Sequence, residues 1–165
     1  MLLRRLLHTT DDYALTIVRA VVGVVFFAHG AQKVLGWFGG PGFDGTMTMF
    51  TQSLGIPAVL AAIAILAEFL GSLGLIFGLL SRIAAFGIAM VMVVAIFLVH
   101  APNGFFMNWT GSQQGEGFEF HVLALAALAL IMLRGAGAWS LDRVVESSLT
   151  GGRTIHIHME PQPSR

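Results

Sequence analysis

An all-α integral membrane bundle of four helices is the fold class this sequence predicts, and three observations predict it. The 165 residues are 56% hydrophobic and 11% charged, against about 25% charged in an ordinary soluble domain. Four apolar stretches, at about 13–35, 57–80, 82–101 and 118–133, approach the ~20 residues a helix needs to cross a hydrocarbon core. The joints between them are short, or rich in glycine and polar residues, as connections between antiparallel helices are.

Arg4 and Arg5 precede the first stretch, and Ala28 with Gly30 forms a small-residue pair, as in a cleaved signal. The apolar run exceeds the 7–15 residues of an h-region, so the stretch is read as a retained span. The loop at 36–56 holds Trp37, Phe38, Phe43, Met47, Phe50 and Leu54, too apolar for a solvated linker. After the breakers Gly39, Gly40, Pro41 and Gly42, Asp44 is expected to cap a short amphipathic helix whose Met47, Phe50 and Leu54 share a face. This helix should lie in the outer interface or over the mouth of the bundle.

The second and third stretches meet at Ser81 and Arg82, which forces a tight hairpin. The joint at 102–117, with Gly, Asn and Gln around Phe105, Phe106 and Trp109, reads as a lid. The fourth stretch is short and calls for a thinned bilayer or extra residues near Gly115. Leu141, Val144, Val145 and Leu149 give a cytosolic helix beginning near Ser140 a small apolar face. Residues 1–150 form one domain in this reading, and 151–165, with His156 and His158, form a disordered cytoplasmic tail.

Orientation follows from the basic residues. Arg4, Arg5, Arg82, Arg134, Arg143, Arg153 and Arg165 fall on one side, and Lys33 falls on the other. That asymmetry puts both termini in the cytoplasm. Formal net charge is zero and no basic face exists, which excludes nucleic acid as a partner. There is no cysteine, so any redox role needs a bound cofactor or a partner protein.

Ionisable residues within apolar spans cost roughly 2.5–3.5 kcal/mol on insertion scales, so they mark interior sites by default. Arg19 and Glu68 are expected to form an internal polar pair, since each needs an opposite charge at its depth. The pair serves either as a static bridge or as a site where Glu68 takes up a proton or a ligand headgroup. His29, Lys33, His100 and Glu119 come from three helices and fall at one outer level, which makes them the candidate cofactor-binding residues. Glu119 and His121 lie two apart and point about 200° from each other, so Glu119 is placed inward and His121 at the interface. A quinone pocket suits this set: His and Lys donate to carbonyl oxygens, an acid passes protons, and an apolar channel takes the tail. A bis-histidine haem and a His/Glu metal site use the same residues and are less favoured, and no metal is assigned.

The chain also resembles the DoxX family of small four-helix bacterial membrane proteins, from about Leu15 to Asp142. The resemblance is carried by Arg19, Gly23 and Phe26 leading into FFAHGAQKVLG, by Pro57 and AEFLGSLGLIFGLLSR, by Asn103, Gly104 and Phe105 before Glu119, and by GAGAWSLD at 135–142. Ala136 stands where the family often has proline. The resemblance implies a link to the membrane subunit of an archaeal thiosulfate:quinone oxidoreductase, to oxidative-stress complexes and to detoxification of quinone-like compounds. It also implies that Arg19, His29, Lys33, Glu68 and Glu119 occupy matching positions.

The function expected is a quinone-interacting, redox-associated subunit of the bacterial inner membrane, acting with a partner enzyme or as a homo-oligomer. The alternatives are a non-catalytic scaffold that recruits a redox enzyme, and a proton or small-solute path.

Overall fold

The computed structural model describes residues 6–151; the expected disordered tail, apart from Gly151, lies outside the described residues. No strand occurs among them. Helix α1, Tyr13–Leu35, starts where the Asp12 carboxylate accepts from the Leu15 N–H at 3.1 Å and stops at Gly36, whose φ of 71° favours glycine. Helix α2, Gly42–Thr48, continues as a π-turn over Met49–Ser53. Helix α3 spans Ala58–Phe77 behind Pro57. Helix α4, Ser81–Ala95, runs on through a π-turn at Ile96–His100 and a 3₁₀ turn at Ala101–Asn103. Helix α5 is Glu119–Arg134, and helix α6 is Leu141–Gly151.

Three of these are long and apolar enough to cross a membrane: Tyr13–Leu35, Ala58–Phe77 and Ser81–Asn103. Helix α5 has 16 residues, about 24 Å of rise, which falls short of the ~30 Å hydrocarbon core. The neighbours in space are α1 with α3, α3 with α4, α4 with α5, and α5 with α1, an up-and-down bundle. Its core gathers Phe26, Leu75, Ile88, Met92, Leu128 and Ile131. Large apolar side chains such as Ile17, Val24, Ile63, Leu70, Phe86 and Leu123 face outward all round, a surface made for lipid. The chain is an all-α membrane protein.

Two glycines set the register of α1 against α3. A Cβ on Gly23 would sit 2.9 Å from the Ile76 nitrogen, and one on Gly30 would sit 2.8 Å from the Phe69 Cα. Close backbone approach of this kind is what holds helices together in lipid. These contacts place Glu68 opposite Ala31, while Arg19 lies about 12 residues, or ~18 Å, further along the bundle.

The expected Arg19–Glu68 pair is therefore absent. Arg19, 2% exposed, donates from Nε to the Ala136 carbonyl at 2.7 Å and from Nη2 to the Trp139 carbonyl at 2.7 Å. Its Nη1 donates to the carbonyls of Ile76, at 3.0 Å, and Leu75, in the last turn of α3. A cation at a helix C-terminus satisfies orphan carbonyls and complements the helix dipole. Depth counted from each span's own ends put the two residues too close, because α3 starts well beyond the end of α1.

The same end of the bundle, where the first described residues and α6 lie, is closed by similar contacts. Arg82 donates to the Met132 carbonyl, to that of Leu133 at 3.0 Å, and to that of His8 at 3.1 Å, which caps α5. The buried Asp142 carboxylate accepts from the N–H groups of Leu80 at 2.6 Å and Ser81 at 2.9 Å, which caps α4 from another helix. At Gly78 (φ 68°), a Cβ would lie 2.5 Å from the Ser140 Cβ, so only glycine fits under that loop.

Helix α2 differs from the expectation. It begins three residues earlier, at Gly42, so Asp44 sits in its first turn and Pro41 holds the cap position. Thr46 is buried, and its hydroxyl donates to the Gly42 carbonyl at 2.7 Å and the Lys33 carbonyl at 3.3 Å, so α2 is folded onto the end of α1. Met47, Phe50 and Leu54 are half-buried.

Candidate functional site

At the opposite, loop-bearing end, the polar residues do converge, though with different partners. The Lys33 Nζ lies 2.5 Å from the Glu68 Oε1. Glu68 is 1% exposed, and its other oxygen, Oε2, is buried with no hydrogen-bond partner. A carboxylate has room for about four hydrogen bonds, so this oxygen is a vacant acceptor in a low-dielectric setting, which is costly unless something fills it. Lys33 keeps two further N–H donors and a quarter of its side chain exposed.

His100 and His121 form the second half of the cluster. Their ring centroids are 4.1 Å apart, tilted by 44°. The π-turn at Ile96–His100 changes the phase of α4 just where it carries His100 inward, and such turns recur at functional sites. His100 Nδ1 is 2.8 Å from the Glu116 carbonyl, so its ring is fixed by the loop. His121 is 7% exposed, and its Nδ1 is buried and unpartnered. The rings touch, leaving no room for a haem plane between them, and no group of three or more His, Asp or Glu among the described residues could hold a metal ion.

His121 thus occupies the inward position expected of Glu119. The buried stripe of α5 runs His121, Ala124, Leu128 and Ile131, at spacings of three and four, and Glu119 falls on the far side of it. Glu119 is half-buried, and its carboxylate has no hydrogen bond among the described residues, while its N–H donates to the Phe105 carbonyl at 2.9 Å. His29 is exposed, with its ring 6.4 Å from that of Phe120, at the rim of the cluster. Phe120 in turn lies 5.7 Å from His121 and 6.3 Å from the core ring of Phe26.

The loop expected to act as a lid is tied down. Asn103 Nδ2 donates to the Glu116 carbonyl at 3.2 Å, and the Asn108 N–H donates to the Glu116 carboxylate at 2.7 Å. Phe105 packs edge-on against Phe106 and Phe118. Glu116, not singled out by its place in the sequence, organises the loop above the two histidines.

The cluster presents N–H donors on Lys33, one open carboxylate oxygen on Glu68 and one open imidazole nitrogen on His121, with the Phe120 ring beside the histidine.

Comparison with known proteins agrees with this architecture. The chain is 24% identical over 135 residues to the Inner membrane protein YqjF of Escherichia coli, covering 82% of this chain and 94% of that relative. It is 29% identical to the Putative oxidoreductase CatD of Bacillus subtilis over 129 residues, 78% of this chain and 84% of the relative. It is 30% identical to the Uncharacterized membrane protein Rv3486 of Mycobacterium tuberculosis over 152 residues, 88% and 90% of the two chains. No solved structure matches. The DoxX family model matches residues 14–101, which contain Arg19, Lys33, Glu68, all but the first residue of α1, and the whole of α3 and α4, and the chain belongs to the DoxX family.

Proposed function

We propose that this protein is an inner-membrane subunit that binds a quinone or a related small aromatic redox compound at the loop-bearing end and works with a partner redox enzyme. In this reading both termini face the cytoplasm, which the arginine asymmetry supports. The observation that carries the proposal is a pair of unsatisfied buried atoms at this end of the bundle, Glu68 Oε2 next to the Lys33 ammonium and His121 Nδ1 next to the His100 ring. Buried polar groups are almost always paired, so two such atoms in one cluster mark a place where a ligand completes the hydrogen bonding. The relative named as an oxidoreductase lends support to the redox assignment.

A quinone supplies a two-electron, two-proton couple when bound. The residues supply the rest. Lys33 and His121 donate hydrogen bonds to carbonyl oxygens, Glu68 accepts a proton from or returns it to the headgroup, and His100, held by Glu116, fixes the His121 ring. Phe120 lies against an aromatic ring, with Phe26 packed behind it. His29 and Glu119 sit at the rim, where they exchange protons with water. With no cysteine in the chain, electrons come from a partner.

The test is a titration of the purified full chain in lipid nanodiscs with a short-tailed ubiquinone or menaquinone, read by tryptophan fluorescence. Glu68→Gln and His121→Ala should each weaken binding about tenfold or more, which is 1.4 kcal/mol, while the lipid-facing Val21→Ala leaves it unchanged. Equal affinity in all four proteins, or no binding at all, would reject the site and favour the scaffold alternative.

A further inference from the structure

Helix α6 is amphipathic with its faces reversed relative to a helix on a soluble protein. Leu141, Val144, Val145 and Leu149 fall within an arc of about 140° at 100° per residue, and all four are exposed. The contacts that hold α6 to the bundle come from the other arc and are polar. Asp142 caps α4 through Leu80 and Ser81, Arg143 donates to the Asp11 carboxylate, and Glu146 lies 2.9 Å from His8 Nδ1. An apolar stripe pointing away from the protein that bears it needs an apolar medium.

That medium is identified by continuity. Leu141 also lines a groove of about 460 Å³ between α3 and α4, with Leu70, Phe77, Leu80 and Ile83, on the lipid-facing surface of the two helices. The exposed face of α6 therefore starts, at Leu141, on the membrane surface of the bundle. At the start of α6, Trp139 is 73% exposed and meets the exposed Tyr13 edge-on at 5.5 Å. Trp and Tyr sit at the headgroup level of a bilayer, which puts the first turn of α6 at that depth.

We propose that α6 lies in the plane of the membrane at the end of the bundle closed by Arg19, Arg82 and Asp142, with Val144, Val145 and Leu149 seated at the boundary between headgroups and acyl chains. The partner of this face is the lipid leaflet itself, as for other interfacial amphipathic helices. Bilayer contact then presses Asp142 onto the N-terminus of α4, so the membrane surface helps to hold the α3–α4 hairpin. The argument is independent of any ligand at the opposite end.

The chain has no cysteine, so single cysteines at Val144, Leu149 and Ser147 can carry a nitroxide without a background. In phosphatidylcholine/phosphatidylglycerol vesicles, collision with oxygen is compared with collision with a water-soluble nickel chelate, after thermal unfolding has shown each labelled chain to be folded. Labels at 144 and 149 should favour oxygen and the label at 147 should favour nickel. Nickel access at 144 and 149 equal to that at 147 would place the apolar face in water and overturn the proposal. Spin–spin broadening at 144 or 149 that disappears on dilution with unlabelled chain would assign the face to a second copy and overturn it as well.

Discussion

The exchange of ion-pair partners can be tested by two double-mutant cycles that share Glu68→Gln. One cycle pairs it with Lys33→Met and the other with Arg19→Met. Lys33 and Glu68 are in contact at 2.5 Å, with Glu68 fully enclosed. Removing one partner of such a buried pair costs about 3–5 kcal/mol, because the other charge is left uncompensated. Removing both costs less than the sum, and a coupling of about 2 kcal/mol falls within the 0.5–3 kcal/mol seen for contacting groups. Arg19 and Glu68 are ~18 Å apart along the bundle and share no partner. Their effects should add to within about 0.5 kcal/mol, the behaviour of sites beyond 7–10 Å. Arg19→Met is itself severe, since it leaves the Ala136, Trp139 and Ile76 carbonyls without their donor. Reversible unfolding in mixed micelles, followed by helical circular dichroism, gives all the free energies. Coupling above 1 kcal/mol between Arg19 and Glu68, or none between Lys33 and Glu68, would refute this reading of the network.

Three further outcomes follow from the packing. Asp142→Ala removes the acceptor of two N–H bonds at the start of α4 and should cost about 1–3 kcal/mol, with Asp142→Asn recovering part of the loss in thermal unfolding. Gly30→Ala forces a Cβ to within 2.8 Å of the Phe69 Cα and should cost about 1–3 kcal/mol; because it spreads α1 from α3 beside Glu68, ligand affinity should fall with it. The Arg143 hydrogen bond holds the Asp11 carboxyl below its usual range, so this contact favours the folded form above the unfolded pKa of about 3.9 and fades as pH falls through the lower folded value; probe mobility on α6 should differ between the parent and Asp11→Asn above pH 4, with the difference vanishing in stronger acid.

Much of the fold was legible because the signals were local. The bounds of α1 follow from Asp12 and Gly36, and the hairpin at 78–81 follows from its shortness. The phase of α5 was not legible: nearly every position from 122 to 133 is apolar, so no polar stripe marks the solvent or lipid side, and Glu119 and His121 could be exchanged. Counting back from Leu128 and Ala124 in steps of three and four does reach His121, but nothing in the sequence says which of several Ala and Leu stripes is buried. Arg19 was misassigned for a different reason. Its partners are backbone carbonyls of α3 and of the loop at 136–139, which carry no residue-type signature. The role of Asp142 was hidden in the same way by the N–H groups of Leu80 and Ser81.

The two ends of the bundle obey different rules, and that difference is the strongest reason to seek function at one of them. At the end that carries α6, Arg19, Arg82 and Asp142 each spend their charge on orphan backbone groups at the close or start of a neighbouring helix. The unpartnered buried atoms there are the Thr10 and Ser81 hydroxyls and Arg82 Nε. The hydroxyls are neutral, and the guanidinium is anchored through its other two nitrogens. At the loop-bearing end the unpartnered atoms are a carboxylate oxygen and an imidazole nitrogen, the two side-chain groups best suited to taking and giving a proton. Helix caps would have served Glu68 and His121 as readily as they serve Asp142, yet neither is used that way. A bundle that satisfies its charges at one end and leaves acid–base groups open at the other is violating the rule of paired burial locally, and such local violations are where a fold gives up stability for chemistry.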